Sequence, residues 1–310
     1  MRILFAGTPQ VAVTSLDYLV DAGFELAAVL TRPDAPLGRK RVMTPSPVAA
    51  RAAELGIPTI KAAKIDESVT AQLAELELDA AAIVAFGGLV PATALSVPRH
   101  GWINLHFSLL PAWRGAAPVQ HSIMYGDDIT GAVTFQLETG LDTGPVFGQV
   151  TEPIAAMDTA GELLERLSHS GSKLLVDTLH AIHAGVARPV PQTGSGSYAP
   201  KITEVDAQLD FTRPATEIRR RAHGTMPMPG PWVKVNAGRF KFGPLIERRE
   251  LTELAPGQLH IEPGKQPTVL IGTATWALEL TTLQPPGKKM MKASDWARGL
   301  LANGTEVSFK

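Results

Sequence analysis

The sequence predicts an α/β protein: a doubly wound, mostly parallel sheet followed by a small C-terminal β-barrel. Three observations predict this fold. Strand patterns alternate with helical patterns over residues 2–86, these strand patterns are continuously apolar, and short strand patterns with Gly and Pro turns dominate after residue 205. Alternating strands and helices form right-handed crossovers and a parallel sheet, and continuous apolar runs suit strands that are covered on both faces.

The elements of the predicted sheet follow one another closely. The strand patterns lie at Arg2–Gly7, Glu25–Leu30, near Ile57–Lys61 and at Ala80–Phe86. The helical patterns between them cover Val11–Gly23, a segment that ends at Gly56, and Glu67–Leu76. Glycine commonly follows the last turn of a helix, which supports the end at Gly56.

The pattern changes after Gly131. AVTFQLE and PVFGQVTEPI are two strand patterns with no helix between them, which predicts an antiparallel edge, and a long helix is predicted over Thr159–Ala184. A segment rich in Pro, Gly and Ser follows, which is typical of a linker. We therefore predict a first domain over 1–184, a linker over 185–205 and a second domain over 206–310. In the second domain, a helix over Ala215–Ala222 precedes several short strands, which favour an OB-like barrel.

Composition excludes several classes of protein. A chain of 310 residues favours two domains, and the absence of cysteine excludes disulfide scaffolds, thiolate zinc sites and cysteine nucleophiles. The start MRILFAGTP lacks the features of a signal peptide, and no run approaches the ~20 apolar residues of a membrane span. We expect a soluble, cytoplasmic protein that does not bind a membrane.

Charge is divided unevenly along the chain. Residues 201–310 hold 16 Lys and Arg against 11 Asp and Glu, a net charge of +5, whereas the whole chain carries −1. A basic C-terminal part predicts an anionic partner.

Common catalytic motifs do not occur. The first turn reads AGTPQV rather than GxGxxG, and the sequence contains no GxxxxGK[ST], HExxH or GxSxG. The eight histidines form no cluster with metal-ligand spacing, so we predict no metal.

Polar residues at the end of one strand pattern predict the active site. In INLHFSLLPAWRGAAP, Asn104 and His106 are two residues apart and therefore lie on the same face of a strand. Ligands of doubly wound sheets bind where such strands end. Asp142 lies in a second candidate loop, between Gly140 and Gly144.

These residues carry a family resemblance. Asn-x-His-x-Ser-Leu-Leu-Pro, with an Asp 36 positions after the His, is similar to the folate-dependent formyltransferases. Within that family the sequence is most similar to the branch that formylates methionyl-tRNA. One position differs: this chain has Phe107 where that branch commonly has glycine. The matching segments are FAGTP (Phe5–Pro9), RPDAPLGRKRVMTPSPV (Arg32–Val48), WRGAAP (Trp113–Pro118), GLDTG (Gly140–Gly144) and LQPPGKKMM (Leu283–Met291).

The resemblance implies a Rossmann-like catalytic domain that transfers a formyl group from 10-formyltetrahydrofolate to the α-amino group of methionine on initiator methionyl-tRNA. Asn104 and His106 are expected to donate to the developing oxyanion, and His106 with Asp142 to move the protons. No obligate protein partner is expected. The residues expected at the folate site are Ser108, Leu109, Leu110 and Pro111, together with Phe86, Gly87 and Gly88.

The tRNA is expected to meet basic residues in two places. The loop Thr31–Pro47 is longer than the ~2–6 residues of an ordinary strand-to-helix connection and contains Arg39, Lys40 and Arg41. In this family such a loop reaches the acceptor stem. In the second domain the candidates are Arg219, Arg220, Lys288, Lys289 and Lys292.

Two alternatives remain open. A formyltransferase for an amino sugar nucleotide or glycinamide ribonucleotide shares the Asn/His/Asp set, but generally lacks the basic loop and the GKKMM motif. A non-catalytic folate- or RNA-binding module is the other alternative, and an assay with several acceptor amines separates all three.

Overall fold

The computed structural model describes residues 1–38, 40–235, 238–303 and 309, and the chain divides into two compact units. Unit 1 comprises Met1–Pro118, Ile129–Pro153 and Leu164–Ala199. Unit 2 comprises Val119–Asp128, Ile154–Leu163 and Pro200–Lys310. Among the described residues, no helix has the length and hydropathy that a membrane span requires.

The elements up to residue 199 follow the predicted alternation. In chain order they are β1 (Arg2–Gly7), α1 (Gln10–Asp21), β2 (Glu25–Thr31), β3 (Ala35–Leu37), β4 (Val42–Thr44), α2 (Pro47–Glu54), β5 (Thr59–Lys61), α3 (Glu67–Ala74), β6 (Ala80–Val84), α4 (Ala92–Leu95), β7 (Trp102–His106), β8 (Arg114–Gly115), α5 (Pro118–Tyr125), β9 (Ile129–Gln136), β10 (Val146–Pro153), α6 (Ala160–His183) and β11 (Tyr198–Ala199).

Seven of these strands form the sheet of unit 1, in the order β10-β9-β7-β6-β1-β2-β5. The five strands from β7 to β5 are parallel, while β9 runs antiparallel to β7, and β10 antiparallel to β9. The predicted parallel sheet with an antiparallel edge is therefore confirmed. All residues of β6 are buried, and so are those of β1 after Arg2, as strands covered on both faces require.

The segment that was predicted as a linker follows the surface of unit 1 as far as Ala199. Val190 forms a bridge with Val146, and β11 pairs in parallel with β8. Backbone hydrogen bonds thus fasten this segment to the rest of unit 1, which its composition did not indicate.

Unit 2 continues with α7 (Ala215–Gly224), β12 (Trp232–Val235), β13 (Gly238–Phe242), β14 (Leu245–Arg248), β15 (Leu259–Glu262), β16 (Thr268–Ile271), β17 (Ala277–Leu280), β18 (Thr282–Gln284), β19 (Met291–Lys292) and α8 (Ala293–Asn303). The strands form two four-stranded antiparallel sheets, β12-β13-β18-β19 and β14-β17-β16-β15. Their core contains packed aromatic side chains, among them Phe211, Phe240, Phe242 and Phe309.

The predicted C-terminal β domain is confirmed and its strands are antiparallel, but strand pairing among the described residues does not close it into the predicted barrel. The chain passes from one sheet to the other at Gly243–Pro244, and again at Thr281. Proline has no amide hydrogen for a strand ladder, so the pairing stops at the first of these crossings.

Candidate active site

His106 is the last residue of β7 and is buried, with 6% of its surface exposed. Asn104 precedes it on the same face, while Ile103 and Leu105 on the other face are packed in the core. In the sheet, Asn104 pairs with Ile83 of β6 on one side and with Phe135 of β9 on the other. The predicted pair therefore lies in the interior of the sheet, where the backbone is held on both sides.

Asp142 lies in the loop that joins β9 to β10, and 8% of its surface is exposed. Its Oδ2 accepts a hydrogen bond of 2.7 Å from the Gly115 amide and lies 3.8 Å from Nδ1 of His106. The structure thus brings together His106 and Asp142, which are 36 positions apart in the sequence.

The Trp113 carbonyl fixes the tautomer of His106. Nε2 of His106 lies 2.9 Å from the Trp113 oxygen, an acceptor, so Nε2 carries the proton in the neutral ring. The Nδ1 lone pair then faces Asp142. Burial lowers the pKa of His106 below its ordinary value, and the negative charge of Asp142 opposes this effect.

Backbone strain occurs at Asp142 itself and at Trp113, the hydrogen-bond partner of His106. Their φ angles are 51° and 59°, in the left-handed region that residues with a side chain rarely adopt, and Ala85, which follows β6, has a φ of 47°. Such conformations persist where surrounding contacts hold them, and they cluster at functional sites.

The 192–197 segment supplies several of these contacts. Ser197 accepts a hydrogen bond from the Trp113 amide through its Oγ, at 2.9 Å, and another from the Arg114 amide through its carbonyl, also at 2.9 Å. Gln192 Nε2 donates to the carbonyls of Asp142 and Gly144. Sequence reasoning missed Ser197 and Gln192 because polar residues in a segment rich in Gly, Ser and Pro show no periodicity.

The residues expected at the folate site have different surroundings. The Ser108 hydroxyl is buried and donates to the Ala112 carbonyl at 2.6 Å, which closes the turn that contains Leu109–Pro111. Leu110 and the partly buried Leu109 pack against Val133 and Phe135 of β9. Ser108 is thus used within the turn, while Leu109 and Leu110 pack on β9, the neighbour of β7.

Residues 86–88 follow β6, the parallel neighbour of β7. The Phe86 side chain is buried in the core, and its carbonyl accepts a hydrogen bond from Thr8 at 2.8 Å. Gly87 has a φ of +79°, and a Cβ on Gly88 would overlap the Phe86 ring. These glycines thus present backbone rather than side chain. Phe107, the departure from the branch pattern, is also buried.

Some of the basic residues that are candidate tRNA contacts are exposed, whereas others already contact other parts of the protein. Lys40 and Arg41 are exposed between β3 and β4, which pair as a hairpin, while Arg39 lies outside the described residues. Lys288, Lys289 and Lys292 are exposed. Arg220 is partly buried and its guanidinium lies against the backbone of Gly126.

Arg219 differs from the other candidates. Its guanidinium forms a 2.7 Å ion pair with Glu247, and only 14% of its side chain is exposed. Its Nη1 also donates to the carbonyl of Ala156. Arg219 is therefore committed to contacts inside unit 2.

Comparisons with known proteins show the family of the chain. Residues 1–179 match the family model described as formyl transferase, and residues 201–301 match the model of the formyl transferase C-terminal domain. The chain is 63% identical over 302 residues to the methionyl-tRNA formyltransferase of Arthrobacter sp. strain FB24, covering 97% of this chain and 98% of the relative. It is 52% identical over 301 residues to the methionyl-tRNA formyltransferase of Thermobifida fusca, covering 96% of each.

Solved structures share the fold at low identity. A crystal structure of an N-formyltransferase from Helicobacter canadensis, in complex with folinic acid and dTDP-3-aminofucose, aligns with a TM-score of 0.67 at 19% identity, over 90% of this chain and 97% of that one. HypX from Aquifex aeolicus, in complex with tetrahydrofolic acid, aligns with a TM-score of 0.69 at 17% identity. That alignment covers all of this chain and half of HypX. From the family models and the identity over nearly the full length, the chain belongs to the formyl transferase family and, within it, to the methionyl-tRNA formyltransferases.

Proposed function

We propose that this enzyme transfers the formyl group of 10-formyltetrahydrofolate to the α-amino group of methionine on initiator methionyl-tRNA, in the cytoplasm and without an obligate protein partner. The observation that carries the proposal is the buried approach of His106 Nδ1 to Asp142 Oδ2, at 3.8 Å, at the end of a central strand. The names of the relatives support the same substrates.

His106 and Asp142 would move the protons that the reaction requires. The acceptor amine must lose a proton, and the leaving folate nitrogen must gain one. With Nε2 bonded to Trp113, the free lone pair of neutral His106 is on Nδ1, and a proton taken there faces the Asp142 carboxylate. The distance of 3.8 Å exceeds that of a direct hydrogen bond, so a water or the amine itself would bridge the two groups.

Asn104 would stabilise the negative charge that develops on the formyl oxygen. Its side chain lies on the same face of β7 as His106, and a preorganised amide donor at that position acts without reorganisation during the reaction. The backbone of Asn104 is paired on both sides, which supports such a fixed position.

The folate co-substrate, which supplies the formyl group, would bind against the turn 108–111 and the segment 86–88. Leu109 and Leu110 offer an apolar surface, and the Gly87 and Gly88 backbone allows a flat ring to approach closely. In this proposal Ser108 shapes the turn through Ala112, and Phe86 supports the segment from the core.

The tRNA acceptor end would meet the hairpin of β3 and β4. Its turn presents Lys40 and Arg41, and Leu37, Val42 and Met43 are exposed beside them. Cations at such a turn suit phosphates, and exposed apolar side chains suit the faces of unpaired bases. Arg39 belongs to the same proposed contact by its place in the sequence.

For the fold type of unit 2 we propose an OB-like barrel. Unit 2 would also bind the RNA that flanks the acceptor end. The exposed cations Lys288, Lys289 and Lys292 carry the proposal of RNA binding, and Arg220 on α7 is a further candidate. Arg219 would contribute only by supporting α7 through Glu247.

A formyl-transfer assay with several acceptors tests the proposed function. The wild-type chain is given 10-formyltetrahydrofolate with initiator methionyl-tRNA, a dTDP-amino sugar, glycinamide ribonucleotide or free methionine. We expect rapid transfer to methionyl-tRNA and transfer at least 100-fold slower to the small amines, which lack the contacts that position the acceptor. Preferred formylation of the sugar or the ribonucleotide would overturn the assignment, and transfer to none would indicate a binding module.

A further inference from the structure

One glutamine joins two of the motif loops of unit 1. Gln192 Nε2 donates to the carbonyls of Asp142, at 2.8 Å, and Gly144, at 2.9 Å. Its Oε1 accepts from Arg114, at 3.2 Å from Nε and 2.6 Å from Nη2. A side-chain amide has two donor hydrogens and two acceptor lone pairs, so all four positions of Gln192 are used.

The loop that Gln192 fastens carries the reactive carboxylate. Asp142 has a φ of 51°, a conformation that costs free energy for a residue with a Cβ and that neighbouring contacts must maintain. The two hydrogen bonds from Gln192 fix the carbonyl of Asp142 itself and that of Gly144, two residues later. They restrict the backbone on which the carboxylate is mounted.

The other end of the amide holds the loop that supplies the partners of His106 and Asp142. Arg114 lies between Trp113, whose carbonyl binds His106 Nε2, and Gly115, whose amide binds Asp142 Oδ2. Gln192 therefore links the acid's loop to the loop that orients both the acid and the imidazole.

We propose that Gln192 is a positioning residue for formyl transfer, which sets the Asp142 carboxylate at the distance from His106 that proton transfer requires. It contacts neither His106 nor the Asp142 carboxylate and acts through the backbone of Asp142. This inference rests on the proposed function, since it concerns the same reaction. Small errors in the placement of reacting groups are costly to turnover, which is why a residue of this kind affects rate.

Two substitutions separate the bonds of Gln192. Gln192→Met retains the approximate volume and removes all four hydrogen bonds. Gln192→Glu keeps an acceptor for Arg114 and removes the donors to Asp142 and Gly144, so it tests the loop contact while the Arg114 contact supports the fold. Gln258→Met is the matched control, because Gln258 also bonds a loop backbone, at the Ala255 amide, in unit 2.

The readouts are kcat, KM for both substrates and the pH profile of kcat, each with the melting temperature. We expect both Gln192 variants to lower kcat by about 10- to 100-fold, as the loss of the two hydrogen bonds to the Asp142 and Gly144 carbonyls predicts, with KM changed less than about threefold. In Gln192→Met the acid limb of the profile should move to lower pH, because a displaced Asp142 no longer raises the pKa of His106. Gln192→Glu adds a negative charge of its own near the site, so kcat rather than the acid limb is the readout for that variant. A purely structural glutamine would lower the melting temperature and leave that limb in place.

Several results would overturn the inference. These are a kcat within twofold of wild type in Gln192→Glu, a defect confined to KM, an unmoved acid limb in Gln192→Met, or an equal loss of kcat in Gln258→Met. If Gln192→Met does not fold, Gln192→Glu alone decides the result. Wild-type activity on methionyl-tRNA is measured first, so a failure of the proposed function is distinguished from a failure of the Gln192 role.

Discussion

The Gly115 amide donates a 2.7 Å hydrogen bond to the same carboxylate oxygen of Asp142 that faces His106. Gly115 itself has a φ of +117°, and a Cβ there would overlap the Ala199 carbonyl of β11. Glycine is therefore required at this position of the WRGAAP motif by its positive φ and by the close approach of β11, and its amide in turn holds the acid. This arrangement orients the acid before any substrate is bound.

Removing either member of the proton-transfer pair should slow the chemical step. His106→Ala and Asp142→Asn are each expected to lower turnover by roughly 10²-fold or more, the effect of losing a general acid–base group. Single-turnover rates with saturating folate and methionyl-tRNA measure this, with circular dichroism as a control for folding. Near-normal rates in either variant would contradict the assigned roles.

Loss of the Asn104 amide should be at least as costly. Asn104→Ala is expected to reduce the single-turnover rate by ~10²–10³-fold, because the developing oxyanion loses a preorganised donor. Folate affinity, measured by titration, should change little. An unchanged rate with weakened folate binding would instead assign Asn104 to substrate positioning.

The pH dependence of turnover follows from the surroundings of His106. Burial lowers the pKa of His106 below its ordinary value, which favours the neutral ring that accepts a proton, so the rate should fall as the pH falls through that lowered pKa. Asp142→Asn removes a charge that raises this pKa, so its residual activity should persist to lower pH than that of wild type. A limb that moves to higher pH in Asp142→Asn would show that another group titrates.

Neutralising the hairpin turn should weaken tRNA binding. In Arg39→Ala/Lys40→Ala/Arg41→Ala, each lost phosphate contact is expected to reduce the slope of log affinity against log salt by up to ~0.9. Folate binding should stay intact. The matched control removes three exposed cations elsewhere in unit 1, as Lys64→Ala/Lys173→Ala/Arg188→Ala. Equal slopes for wild type and the hairpin variant would leave RNA recognition to the cations of unit 2.

Unit 2 should lose stability in mild acid through His223. This ring is fully buried, and burial together with the nearby charge of Arg219 lowers its pKa from 6.5 to about 4. In the unfolded chain His223 becomes protonated as the pH falls below 6.5, whereas in the folded protein it stays neutral until about pH 4. Because the unfolded state binds the additional proton, the free energy of unfolding decreases as the pH falls through that window. The shift corresponds to about 3 kcal/mol over the window.

Urea titrations followed by tryptophan fluorescence across this pH range measure the effect. His223→Gln should have a flatter dependence of unfolding free energy on pH, whereas His260→Gln, at an exposed position, should follow wild type. Parallel curves for wild type and His223→Gln would show that other groups account for acid sensitivity.

The predicted fold and the Asn104–His106 pair were accessible from sequence because they depend on local periodicity. A continuous apolar run indicates a strand that is buried on both faces of a parallel sheet. Two residues that are two positions apart in a strand lie on the same face of it. The hairpin of β3 and β4 was not accessible, since its strands have three residues each and Pro36 lies in one of them. Composition there predicted only an overlong loop.

Arg219 and Gln192 illustrate the limit of such patterns. A run of three arginines on a helix looks like an RNA-binding face, but the carboxylate that neutralises Arg219 is Glu247, on a strand of unit 2. Gln192 has partners at 114, 142 and 144, which meet only in the folded chain. Pairings between distant segments leave no periodic trace in the sequence.

The pairing of β8 with β11 affects how this protein can be divided. The family model for the N-terminal part ends at residue 179, whereas the polypeptide continues along unit 1 to Ala199. A fragment that ends at residue 179 would contain Asn104, His106 and Asp142 but would lack β11, the strand that pairs with Arg114 and Gly115. Chimaeras that exchange C-terminal parts between relatives should therefore be joined after residue 199, so that each catalytic half keeps its own copy of this strand.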